Sequence, residues 1–80
     1  MNEKSQALIK ELENLNRQKK DLSCRNFKNE NLSDIFLVNA KLDNSNFEKA
    51  NLRKASLYGS DLSGSNMFKA NLENANLKNT

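Results

Sequence analysis

From residue 40 to residue 77 a large apolar side chain returns at every fifth position: Leu42, Phe47, Leu52, Leu57, Leu62, Met67, Leu72 and Leu77. Two places before each stands a small residue, namely Ala40, Ser45, Ala50, Ala55, Ser60, Ser65, Ala70 and Ala75, and the residue between is mostly Asn or Asp. The two places that follow the large residue are mostly polar. A period of five matches neither the 3.6 residues of an α-helix nor the two of an uninterrupted strand. A short extended segment followed by a corner does satisfy it, because the small and the large residue, two apart, then point the same way. Repeating the corner coils the chain into a solenoid, with segments of neighbouring coils about 4.8 Å apart and hydrogen-bonded to one another.

The units "ANLRK", "SDLSG", "ANLEN" and "ANLKN" resemble the pentapeptide-repeat family, whose consensus is A(D/N)LXX. The resemblance implies an all-β solenoid: a right-handed quadrilateral β-helix of about three coils, four units to a coil, with residue n beneath residue n+20. Applied to this chain, that stacking places Phe27, Phe47 and Met67 in one internal column, Leu32, Leu52 and Leu72 in a second, and Leu37, Leu57 and Leu77 in a third. At about 1.5–3 kcal/mol per fully buried large apolar side chain, these columns are the main driving force for folding. Ala40, Ala50, Ala55, Ala70 and Ala75 complete the expected core, since a bulky residue there would overpack it. Asn26, Asn46 and Asn66, and likewise Asn31, Asn51 and Asn71, are expected to form outward ladders of hydrogen-bonded amides.

Residues 1–20 follow a different rule. Ala7, Leu8, Leu12 and Leu15 make an apolar stripe at helical spacing among Lys, Glu and Gln, which predicts an amphipathic helix from Glu3 to Gln18. Its expected role is an N-terminal cap over the first coil, whose core and strand edges would otherwise be open. Residues 21–80 are then the repeat domain, irregular over 21–39 and regular over 40–79. In the irregular part Leu22, Phe27, Leu32 and Leu37 keep the large position, but the small position holds Lys20, Arg25, Glu30 and Ile35. A charge in so thin a core costs several kcal/mol unless paired, so this coil is expected to be distorted or opened toward the helix.

Composition narrows the function. The chain of 80 residues carries a net charge of +3, of which residues 1–20 (five basic, three acidic) hold +2 and residues 21–80 (eight basic, seven acidic) hold +1. There is no histidine, and Cys24 is the single cysteine, so neither an activated thiol nor a cysteine metal site is expected. No catalytic, metal or cofactor residues are assigned. No segment approaches the roughly 20 apolar residues of a membrane span, and the expected location is cytoplasmic. Lys49, Arg53, Lys54 and Lys69 read as a solvated edge, which disfavours a nucleic-acid partner. Lys28 with Glu48, and Arg53 with Glu73, are expected to pair across coils.

Two features point to protein partners. Phe36, Val38 and Tyr58 face outward on one side of the implied coil, a small apolar patch that the N-terminal helix is expected to cover in preference to a partner. The coil ending at Leu77 bares its large residues, which predicts self-association through that coil as a homodimer, the competing expectation being that further coils of a longer β-helix cap it. The reading is a non-enzymatic structural or protein-interaction module. The alternative that the resemblance implies is a DNA-mimicking inhibitor or protector of a type II topoisomerase, which the near-neutral repeat domain disfavours.

Overall fold

The computed structural model describes residues 2–80; of the 1–20 segment, Met1 lies outside the described residues. Helix α1 spans Glu3–Arg17. Asn2 caps it, its side chain accepting the Ser5 N–H at 2.8 Å, and Glu3 in the first turn suits the positive end of the helix. The far end closes when Lys19 turns left-handed at φ 61° and the Lys20 N–H reaches back to the Leu15 carbonyl at 3.0 Å. Gln18, expected as the last helical residue, is the C-cap.

Beyond α1 the chain coils so that residues twenty apart lie side by side. Parallel bridges join Asn26 to Asn46 to Asn66, Asn31 to Asn51 to Asn71, Phe36 to Ser56 to Asn76, and Lys41 to Asp61, giving four bridge columns around each turn. Within a column the Phe27 N–H donates to the Asn46 carbonyl at 2.7 Å, and the Asn46 N–H to the Arg25 carbonyl at 2.9 Å. These contacts are single-residue bridges, so the β character expected from sequence takes the form of isolated pairings without multi-residue strands.

The corner explains why. The last residue of each unit has positive φ: Gly59 and Gly64 at 70°, and Cys24, Asn29, Asp34, Asn39, Asn44, Lys49, Lys54, Lys69, Asn74 and Asn79 between 56° and 63°. A left-handed residue costs about 1–2 kcal/mol for most side chains and less for Asn and Asp, which hold five and one of these places. At Gly59 the missing Cβ also leaves room for the Asn39 side-chain oxygen in the coil before it, which a larger residue would displace.

The Asn or Asp at the centre of each unit has a local task. Its Oδ1 accepts the N–H two residues ahead, as Asn26 does from Lys28 (3.0 Å), Asn46 from Glu48 (3.0 Å), Asn51 from Arg53 (3.0 Å) and Asn66 from Phe68 (3.0 Å). The expected amide ladders are therefore corrected. The backbones of these asparagines pair between coils while their side chains bond within their own unit, because the N–H two places on faces no neighbouring coil and needs an acceptor.

Ala and Ser are not equivalent at the small position. Where it is Ala in the following coil, the turn closes on itself, with the Ala50 N–H donating to the Phe47 carbonyl at 2.9 Å. Where it is Ser, a hydroxyl opens the turn before it. Ser60 Oγ accepts the Ala40 N–H at 2.9 Å and donates to the Leu37 carbonyl at 2.8 Å; Ser65 does the same for Ser45 (3.1 Å) and Leu42 (3.1 Å). Ser60 is buried and Ser65 half-buried, and both hydroxyls are fully partnered, which removes the cost of placing them inside.

The core is a stack of inward side chains closed at one end by α1. Leu42, Phe47, Leu52 and Leu57 are buried with Ala40, Ala50 and Ala55, and the Phe27 and Phe47 rings stack at 5.0 Å. Leu62, Met67, Leu72, Ala70 and Ala75 in the last coil are half-buried, and Leu77 is 39% exposed. In residues 21–39 the backbone keeps the twenty-residue register, from Cys24 N–H to the Asp43 carbonyl (3.0 Å) through Asn39 N–H to the Tyr58 carbonyl (2.8 Å). The departure lies in side chains: Lys20 is exposed, Arg25 and Glu30 are half-buried without an ion pair to each other, and Ile35 is buried within the cluster that contains Leu12 of α1.

Ser60→Ala should lower stability by about 0.5–1.5 kcal/mol, since the Leu37–Ala40 turn can then close on itself as the Phe47–Ala50 turn does, and one hydrogen bond replaces two. Ser56→Ala, at a half-buried bridge position, should change it by less than about 0.5 kcal/mol. Urea denaturation of the two variants checks the difference, and equal losses would contradict the role given to the buried hydroxyl.

Candidate interaction surfaces

Helix α1 covers one end of the coil with more than an apolar stripe. Leu12 is fully buried, and Leu8, Ile9 and Leu15 pack beside it against the core. Glu13 and Asn16, three apart and so on one face of the helix, flank Leu12. The Phe36 N–H donates to Glu13 Oε2 at 2.9 Å, and Asn16 Nδ2 donates to the Val38 carbonyl at 3.0 Å. The sequence reading named only the apolar stripe and gave these two residues no role. Their i, i+3 spacing beside Leu12 was the available signal.

The Phe36, Val38 and Tyr58 patch is not buried by the helix. Phe36 is 61% exposed and Tyr58 36%, with Val38 intermediate, and α1 reaches this side through two bonds to the backbone. The expectation that α1 covers the patch is thus overturned: its apolar stripe is used on the open end of the core, where more surface leaves water. The Tyr58 hydroxyl accepts from Asn79 Nδ2 at 3.2 Å, which ties the patch to the last coil. A second exposed aromatic, Phe68 at 59%, lies on another column with Lys69 Nζ 5.4 Å from its ring.

Among the described residues the opposite end of the coil has no such cover. The N–H groups of Leu62, Met67, Leu72 and Leu77 and the carbonyls of Ser60, Ser65, Ala70 and Ala75 pair with nothing among the described residues, although their counterparts one coil earlier are all bonded onward. With Leu77 exposed beside half-buried Leu62, Met67 and Leu72, this end offers a polar backbone edge around an apolar centre.

Surface charge is interleaved. Lys28 stands 3.9 Å from Glu48 and Arg53 2.8 Å from Glu73, as the stacking predicts, and Lys41 pairs with Asp43 at 2.8 Å. Of the basic residues read as a solvated edge, Arg53 is in that pair, Lys69 leans on Phe68, and Lys49 and Lys54 are exposed. A cleft of about 490 Å³ at the end of α1 is lined by Asn16, Arg17, Lys19, Lys20, Val38, Asn39 and Lys41. Cys24 is exposed. Among the described residues no group of three His, Cys, Asp or Glu side chains could hold a metal ion, and no helix is long and apolar enough to cross a membrane.

Residues 21–57, 31–67 and 45–80 match the family described as pentapeptide repeats, in eight copies. A comparison with curated proteins returned no match.

The column Asp21, Lys41, Asp61 alternates in sign, and it makes stability depend on pH at both extremes. Hydrogen bonds from the Ser23 hydroxyl and N–H, followed by the charge of Lys41, hold the Asp21 carboxyl below its ordinary 3.8. Asp61 is lowered likewise by Ser63 and then Lys41, while the bond to Asp43 holds Lys41 above its ordinary 10.5. A depressed carboxylate stabilises the fold above the unfolded value and loses that contribution as pH falls through the folded one. A raised lysine stabilises below its unfolded value and loses it as pH climbs past the folded one. The contribution of this column should therefore be complete between the two ordinary values and fall away outside them. Ser63→Ala should move the Asp61 carboxyl up toward 3.8 by more than Lys41→Met does, as read by carbon-detected NMR titration.

Proposed function

The chain belongs to the pentapeptide-repeat family, and from that premise we propose that it is a non-enzymatic protein-interaction module whose coil is the right-handed quadrilateral β-helix implied by the repeats. The observation that carries this reading is the asymmetry of the two ends. One end is closed by Leu12, Glu13 and Asn16 of α1, while the other presents unpaired backbone groups around Leu62, Met67, Leu72 and Leu77. An edge of that kind binds another edge, since main-chain hydrogen bonds supply affinity and the apolar centre is removed from water at the same time. A second copy related by a two-fold axis buries both open ends at once, and such a pairing closes after two chains. The patch of Phe36, Val38 and Tyr58 remains outside this pairing as a surface for a different protein.

No observation favours the DNA-mimicking alternative. A mimic of a phosphate backbone requires sustained negative charge, whereas acidic residues here alternate with Lys28, Lys41 and Arg53 across coils.

Sedimentation equilibrium of the intact chain should show a monomer–dimer equilibrium, and Leu72→Lys should shift it to monomer with little change in the circular dichroism spectrum. A concentration-independent monomer at micromolar levels would contradict the pairing.

A further inference from the structure

The bonds that α1 makes to the first coil occupy positions defined by the coil itself. Everywhere else in this column the N–H of the bridged residue donates to a carbonyl twenty-one residues earlier, as Ser56 does to Ile35 at 2.8 Å and Asn76 to Ala55 at 2.8 Å. The carbonyl two places on accepts from an N–H nineteen residues earlier, as Tyr58 does from Asn39 at 2.8 Å. Phe36 and Val38 are the first members of these two series and have no earlier coil. Glu13 Oε2 stands where the carbonyl would be, and Asn16 Nδ2 where the N–H would be. Two helical side chains thus imitate one carbonyl and one amide of a missing coil, while Leu12 covers the apolar centre.

The groups they imitate exist on the open end. Continuing the same register, the Phe36 N–H would take the Ala75 carbonyl of another chain and the Val38 carbonyl its Asn79 N–H, both of which are unpaired among the described residues. Phe27 would likewise rest on the half-buried Met67, extending the column in which Phe27 already stacks on Phe47. We propose that α1 is a displaceable stop: it occupies an edge whose fitting partner is the open end of a second copy, so undocking it turns end-limited pairing into head-to-tail stacking. The inference rests on the edge-pairing reading above, since both use the same open end. A head-to-tail contact is heterologous and does not close, so its product is a filament whose length grows with concentration.

The test uses the full chain. Leu8→Lys with Leu12→Lys removes the apolar anchor of α1 while leaving every repeat residue in place. Sedimentation velocity should show the double variant growing well beyond two copies as concentration rises, while the wild-type chain stops at two, and circular dichroism should retain the signal of the coil. Adding Leu72→Lys to the double variant should limit it to pairs or single chains. The inference is overturned by an undocked variant that keeps its coil at wild-type size. It is overturned equally by one whose assembly ignores Leu72→Lys, which marks unspecific aggregation, and by one that loses the coil altogether, which makes α1 an integral part of the fold. A wild-type monomer beside a polymerising double variant would defeat the two-fold pairing and leave the stop intact; a wild-type dimer beside a double variant of the same size would do the reverse.

Discussion

Backbone hydrogen bonding between residues nineteen to twenty-one apart is the interaction on which the rest of this structure depends. An 80-residue chain cannot build a thick core, and this one encloses a narrow column filled by the four large side chains of each coil and the small residues beside them. Such a column is stable only if its wall is held at fixed spacing, and the wall is made of single-residue bridges. Each bridge is modest by itself, and seven of them in four columns fix the pitch that lets Phe27 lie on Phe47 and Leu32 on Leu52. Everything exposed follows from the same geometry, including the pairing of Lys28 with Glu48 and of Arg53 with Glu73.

The cost of this wall is concentrated at the corners. A left-handed residue every fifth place is conformationally demanding, and the chain meets the demand mostly with Asn, Asp and Gly. Lys49, Lys54 and Lys69 occupy the same conformation without that advantage, so the register is strong enough to impose it on unsuited side chains.

The hydrophobic period made the inward and outward assignment legible, because any residue five along must return to the same depth. Leu42, Phe47, Leu52 and Leu57 lie where that rule places them, and the N-terminal stripe made Leu12 visible as a residue facing the core. The polar details were not legible from the period. Whether Asn26 bonds to Asn46 or to its own Lys28 depends on which N–H the corner leaves without an acceptor, and that is a matter of three-dimensional geometry. The exposure of Phe36 was readable, but what α1 would cover was not, since the stripe of Leu8, Leu12 and Leu15 fits a flat side or an open end equally until the coil is built.

A repeat this uniform carries an ambiguity that ordinary folds escape. Sliding one coil by a single unit of five residues would leave every large side chain inside and every polar one outside, so the hydrophobic pattern cannot distinguish the correct stacking from a slipped one. The contacts particular to single units can: Phe27 stacks on Phe47, Lys28 meets Glu48 and Arg53 meets Glu73, and a slip of five residues would part all three pairs. They act as keys in a lock whose other wards are all alike, setting the rotational phase of one coil on the next. In this molecule the specificity of the fold thus resides in a few contacts between unlike units, while its stability resides in the carbon columns that every unit shares.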